Sequence, residues 1–311
     1  MRLVRQKEKT RAHRGHVVLI ALLVAALGSG CAAGTSGGSG SSGGAEPAPG
    51  QQAKEQAGPA GALSGYVARV KRAQAERAVA ARKWGLAKPP LAAPQPPAVK
   101  PKITTRKGFE VEGGESLPPV FTTVPTHDKV VFLTIDDGAE KDPALLRMMS
   151  ELKIPYSAFL SDYVINDNYD YFEQMQDRGV SLYNHTLNHR YLPGLSYAEQ
   201  KREICGQQTR LEKRYGTRPR LFRPPYGNYN KNTLRIARSC GVEAVPLWAS
   251  EAFPDHMEWR EWDRDLHPGD IILTHFRGRK HWKGSMPDMI RRVMKTVTGK
   301  GYAVAKLEDY V

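Results

Sequence analysis

The stretch VVFLTIDDGAEKD, residues 130–142, decides the reading of this chain. Its first six residues are apolar or β-branched without a break, the pattern of a short strand buried on both faces. The run ends on Asp136, Asp137 and Gly138. Two carboxylates side by side at the end of a buried strand repel each other and resist desolvation, so a positive group must meet them.

From about residue 121 the chain alternates short apolar runs with helical patterns. The expected strands are 130–135, 156–160, 180–183, 221–223, 243–248, 270–274 and 302–306, and the expected helices are 143–152, 168–178, 197–215, 230–240 and 286–299. Such alternation predicts parallel strands joined by crossover helices. Seven repeats in this length predict an α/β fold, a distorted or incomplete (β/α) barrel of about seven parallel strands. Gly179, Gly241 and Gly301 each stand where a helix must stop before a strand.

The residues capable of chemistry gather at the carboxyl ends of these strands. Asp136 and Asp137 follow the first, His185 and His189 the third, and Arg223 and Tyr226 the fourth; Trp248 ends the fifth and His275 the sixth. That rim is where barrel enzymes build their sites. The two histidines are four residues apart, and with one carboxylate they make a set that leaves open positions on Zn²⁺ or a similar divalent ion. A cation gripped by one aspartate offsets the repulsion and leaves its neighbour free as a base. Alone, the histidine pair also fits a surface or capping role, and the DDG run a solvated turn.

Four ordered motifs, TIDDG (134–138), HTLNH (185–189), RPPYG (223–227) and ILTH (272–275), make residues 125–311 resemble the polysaccharide deacetylases of carbohydrate esterase family 4, the NodB-homology domain. The resemblance implies a divalent-metal hydrolase that removes acetyl groups from N-acetylated sugars or acetylated xylan, with zinc expected and cobalt, manganese or nickel open. Carried over by position, it makes Asp136 the general base and Asp137, His185 and His189 the metal ligands. Arg223 orients Asp136, and the Tyr226 backbone N–H stabilises the oxyanion. His275 protonates the leaving amine. Pro224, Leu273 and Trp248 line the substrate pocket.

There are departures from the family pattern. Ile135 replaces a common phenylalanine and Phe276 replaces an acid. The fourth motif is blurred as WASEAFPDHMEW (248–259), leaving Glu251 and Asp255 as rival supports for His275 or Arg223. Trp259, Trp262 and Trp282 suit sugar stacking and packing equally. Cys205 and Cys240 lie on successive expected helices flanking one strand, and a disulfide is expected if the compartment is oxidising, with two buried thiols the alternative.

The N-terminus supports that compartment. Arg2, Arg5, Lys7, Lys9, Arg11 and Arg14 precede the apolar run VVLIALLVAAL (17–27), too short for a membrane span and suited to a secretory signal. Cys31 stands where a lipoprotein is acylated, although Gly28 occupies the usual aliphatic place, so 1–31 reads as a signal with a lipobox-like cysteine. Residues 32–120 read as a low-complexity linker with a basic helix near 63–87, and 121–311 as the deacetylase domain.

The net charge of +14 does not point to nucleic acid. Residues 1–119 hold 18 Lys/Arg against 7 Asp/Glu, whereas 120–311 hold 28 against 25. The expectation is an exported monomer, lipid-anchored at the outer face of the cell membrane or secreted, acting on peptidoglycan. Acetylated xylan, chitooligosaccharides, a silent wall-binding role and peptide amidase chemistry are the rivals.

Overall fold

The computed structural model describes residues 59–311. The apolar segment 17–27, Cys31 and the tether to residue 58 lie outside them. None of the described helices is long and apolar enough to cross a membrane.

Among the described residues the strands are β1 (Val120–Phe121), β2 (Val130–Asp137), β3 (Ser157–Leu160), β4 (Ser181–Asn184), β5 (Val245–Pro246), β6 (Ser250–Ala252), β7 (Met257–Trp259), β8 (Ile271–His275) and β9 (Ala303–Ala305). The helices are α1 (Pro59–Lys83), α2 (Pro143–Leu152), α3 (Asp162–Ile165), α4 (Tyr169–Asp177), α5 (Tyr197–Tyr215), α6 (Lys231–Ser239) and α7 (Met286–Gly299). The main sheet runs β4-β3-β2-β8-β6-β7, with β9 also on β2.

β2 is the axis of the fold and is buried along its whole length. One edge pairs with β8; the other pairs first with β9 and then with β3, all in parallel. Its period-2 alternation sorts the side chains. Val131, Leu133 and Ile135 join the cluster under α2, α4 and α7. Val130 and Phe132 fill the interior with Phe159, Tyr183 and Ile271. The same parity places Thr134 and Asp136 above that apolar floor. The sequence pattern therefore builds a dry base and a polar rim on one face.

The barrel is distorted, as expected, and its ring is incomplete. From β4 it continues only through single bridges, Asn184↔Phe222 and Leu221↔Ala244, to β5, which pairs with β1. The expected strand at 221–223 is thus reduced to isolated pairs, and the one at 243–248 shrinks to two residues. Proline explains both: Pro224, Pro225 and Pro246 have no N–H for a ladder. The blurred motif folds into an antiparallel hairpin, β6 with β7, so the sheet is not wholly parallel.

Helix ends follow the sequence cues. Gly179, Gly241 and Gly301 have φ near +80° after α4, α6 and α7, and Ser196, Asn230 and Ser285 close capping boxes on α5, α6 and α7.

Part of the expected linker packs on the fold. Ala81 and Leu86 are buried in the helical-layer cluster, and the Trp84 indole N–H donates to the Glu151 carboxylate at 2.6 Å. The disulfide joins Cys205 to Cys240 with Cα atoms 5.3 Å apart, tying α5 to the end of α6.

Candidate active site

The rim begins at the end of β2. At Asp137 the backbone leaves the extended region (φ +77°), and at Gly138 φ is +104°, so both carboxylates reach the same mouth. A methyl group on Gly138 would meet Ile165 Cγ2 at 2.3 Å and Phe172 Cζ at 3.0 Å. Gly138→Ala is therefore expected to lose about 3 kcal/mol of stability from overpacking and left-handed strain together. Chemical denaturation measures it; an unchanged midpoint would contradict the packing.

His185 and His189 come from the loop after β4, which a buried polar network holds. Asn184 accepts from the Thr186 N–H at 2.8 Å and donates to Gln208 and to the Ile204 carbonyl. Glu203 accepts from the Asn188 N–H, and the Ser161 hydroxyl donates to the His185 carbonyl. His189 itself sits at φ +52°. Left-handed backbone at Asp137, Thr186, His189 and Tyr226 concentrates strain around one mouth.

The three expected ligands converge. Asp137 Oδ1 lies 3.6 Å from His185 Nε2 and 3.4 Å from His189 Nε2. Donor atoms around a tetrahedral zinc ion stand roughly 3.3 Å apart, given bonds of about 2.0 Å. His185 Nδ1 is 2.7 Å from the Arg223 carbonyl, so the proton resides on Nδ1 and the Nε2 lone pair faces the mouth. Burial holds both imidazoles well below the usual histidine range, at about 4, and hence neutral at pH 7. Asp137 Oδ1 is buried without a hydrogen-bond partner among the described residues. An orphaned carboxylate oxygen facing two neutral imidazole lone pairs fits a divalent cation. One sheet edge further, Asp137 Oδ2 accepts from Arg277 at 3.1 Å.

Asp136 is held separately. Its Oδ1 accepts from Arg223 at 2.7 Å, and Arg223 also donates to Thr134 Oγ1 and to the Pro246 carbonyl. The guanidinium is completely buried and lies 4.3 Å from the centre of the Phe159 ring. Burial pushes the Asp136 carboxyl up to about 6, against the pull of Arg223 and His275. Burial and the Arg223 guanidinium thus act on its ionisation in opposite directions.

His275 ends β8 beside Asp136, the two residues being register partners. Its Nδ1 is 3.3 Å from Glu251 Oε1. Burial depresses the imidazole, but the Glu251, Asp137 and Asp136 carboxylates outweigh it and hold it above the ordinary range. Asp255 pairs instead with His256 and Lys283 on the surface, so Glu251 is the acid placed to support His275.

The remaining residues fall around the edge. Pro224 and Pro225 are buried, and the Tyr226 ring is exposed with its centre 4.7 Å from that of His189. Leu273 is buried on the His275 face of β8. Trp248 stands against Gly227, between the Arg223 and Arg260 guanidiniums. The Trp282 ring is 6.3 Å from that of His275, whereas Trp259 packs on the helical layer and Trp262 borders a separate hollow with Arg106 and Asp263. Sequence reasoning missed Arg277 and the Asn184–Gln208–Glu203 support. Polar residues on one face of α5, buried although unremarkable in composition, were the available signal.

The polysaccharide deacetylase profile matches residues 123–245. An uncharacterized Streptomyces coelicolor protein is 41% identical over 203 residues, covering 65% of this chain and 81% of that one. A peptidoglycan-N-acetylglucosamine deacetylase of Bacillus cereus is 27% identical over 200 residues, covering 60% and 90%. Among solved structures, a family 4 carbohydrate esterase from Bacillus anthracis superposes with a TM-score of 0.51 at 25% identity, over 61% of this chain and 86% of that one. With its motifs assembled at one rim of the same fold, the chain belongs to the polysaccharide deacetylase family, carbohydrate esterase family 4, and is a hydrolase of that class.

Proposed function

We propose that this protein removes acetyl groups from N-acetylated sugars of cell-wall polysaccharide, peptidoglycan before chitin or xylan, outside the cytoplasm. The observation that carries the proposal is the meeting of Asp137, His185 and His189 around one orphaned carboxylate oxygen, with Asp136 separately paired to Arg223. The name of the Bacillus cereus relative and the signal-like segment 17–27 support the choice of substrate and compartment.

Asp137, His185 and His189 hold a divalent cation, zinc before cobalt, manganese or nickel. When bound, such an ion polarises a carbonyl and makes water easier to deprotonate. Asp136 takes the proton from the attacking water, and Arg223 keeps its carboxylate aimed while the buried floor excludes bulk solvent. The Tyr226 N–H stabilises charge developing on the acetamido oxygen. His275, charged through Glu251, gives its proton to the departing amine. Leu273 and Trp248 wall the acetyl methyl group, beside Pro224. The disulfide, the compartment and anchoring at Cys31 belong to one scheme: an enzyme tethered outside the membrane and reaching the wall nearby.

Glu251→Gln is expected to move the alkaline limb of the kcat/KM profile to lower pH, because His275 loses the carboxylate that raises it and surrenders its proton earlier. An unmoved limb would remove His275 as the acid.

Acetate release by the metal-loaded full chain from peptidoglycan, chitin oligosaccharides and acetylated xylan, with and without chelator, tests the whole scheme. Chelator-sensitive release from peptidoglycan is expected. Absence of release with metal supplied would leave a silent wall-binding protein, and new amino groups appearing on peptide instead of sugar would make it an amidase.

A further inference from the structure

Arg277 has no role in the scheme above, yet it sits at its centre. Its side chain is 41% exposed at the mouth and spends one N–H on Asp137 Oδ2 at 3.1 Å. A guanidinium has five donors in a fixed fork, and no other hydrogen bond engages this one among the described residues. Tyr163, half exposed and with its ring centre 6.5 Å from that of His189, borders the same opening with Tyr226.

The charges around the opening come in pairs: Asp136 with Arg223, Asp137 with Arg277 and Glu251 with His275. Adding a divalent cation to such a balanced set leaves two positive charges in surplus. Attack on a neutral acetamide with the proton taken by Asp136 moves one negative charge from that carboxylate to the substrate and leaves the surplus unchanged. An anion carried by the substrate would offset it, and among the three cationic partners Arg277 is the most exposed, against 21% for His275 and none for Arg223.

The chain following Arg277 extends this bias. Arg279, Lys280 and Lys283 occur within the next six residues and are exposed. Arg279 pairs with Asp288 at 3.2 Å and Lys283 with Asp255 at 3.3 Å, and the Glu140 carboxylate lies against Gly278. Residues 277–283 thus carry four cationic side chains after β8, of which Arg277 is the one bonded to the Asp137 carboxylate.

We infer that Arg277 binds a carboxylate carried by the substrate close to its acetamido group, so that the site prefers an anionic N-acetylated amino sugar over a neutral one. An arginine fork matches a carboxylate in a bidentate geometry, which confers specificity as well as attraction. This inference rests on the deacetylase reading and specifies which sugar it applies to. The carboxylate has two sources, an acidic ether substituent on the reacting sugar or the terminus of a peptide attached to it.

The test compares three N-acetylated oligosaccharides of equal length with the metal-loaded full chain. One is neutral, one bears a free ether carboxylate beside the acetamido carbon, and one has that carboxyl condensed to a short peptide ending in a carboxylate. The wild type should prefer a carboxylated substrate by roughly tenfold to a hundredfold in kcat/KM, the scale of a charge-assisted contact. In Arg277→Met the preference ratio should collapse towards one, largely through KM, and Arg277→Lys should recover part of it. Whichever carboxylated form shows the effect identifies the source.

A second readout is independent of turnover. Calorimetric binding of the already deacetylated, carboxylated oligosaccharide should weaken at least tenfold in Arg277→Met, while its neutral counterpart binds both proteins alike. Equal losses on neutral and carboxylated ligands would reduce Arg277 to a support for Asp137 and overturn the inference, as would an unchanged preference. Should no substrate be turned over, the deacetylase reading fails and the binding arm alone decides the role of Arg277.

Discussion

Asp136→Asn is expected to retain a bound divalent cation while acetate release falls by about a thousandfold or more, whereas His185→Ala loses cation and turnover together. The amide keeps the size of the carboxylate and accepts a hydrogen bond from Arg223 in its place, so the rim stays intact. What it lacks is a lone pair basic enough to take a proton, and a positioned general base contributes roughly a hundredfold to ten-thousandfold. His185 is different in kind. It supplies one of three donor atoms, is buried, and is already oriented by the Arg223 carbonyl. Alanine there leaves two donors and a void. Elemental analysis of the purified variants, read beside acetate release, separates the two roles. Metal lost from the Asp136 variant, or retained in full by the His185 variant, would reverse the assignment of base and ligand.

Arg223→Met is expected to cost about 3–5 kcal/mol of stability as well as activity, because it strands the Asp136 carboxylate in a buried site. Arg223 is the largest fully buried side chain of the fold and makes hydrogen bonds to Thr134, Asp136, Pro246 and Leu247. Its removal also opens the cleft between the Phe159 and Trp248 rings. At this size a domain loses roughly 2–4 °C in Tm per kcal/mol, so melting should begin some ten degrees earlier. Adding Asp136→Asn to the variant should return part of the loss, since the stranded charge is then gone. A double-mutant cycle measures that coupling. Strict additivity would mean the pair is bonded in the structure without being energetically linked.

Half of each prediction is legible in the sequence. The DDG run, the HxxxH spacing and the RPP turn lie in the sequence as local patterns, and local patterns survive in one dimension. Helix boundaries were equally readable: the expected 143–152, 197–215 and 286–299 coincide with α2, α5 and α7, because capping residues and apolar periodicity act over a few neighbours. Strands fared worse wherever proline or a partner intervened. β1 became a strand only because β5 lay beside it, and the hairpin β6–β7 arose within a segment whose residues gave no alternation to follow.

By itself, the sequence determined the alternation of strands and helices, the inward parity of Asp136 on β2 and the identity of the residues competent for metal and proton chemistry, since each depends on neighbours within a few positions. The tertiary structure alone decided that Glu251 rather than Asp255 supports His275, that the Asn184–Gln208 network holds the histidine loop, and that Arg277 reaches Asp137 from 140 positions away. Those contacts join segments that carry no mark of one another in the chain. Only the closing of β8 against β2, and of α5 over β4, brings their charges within range, where burial makes each pairing strong enough to govern the chemistry.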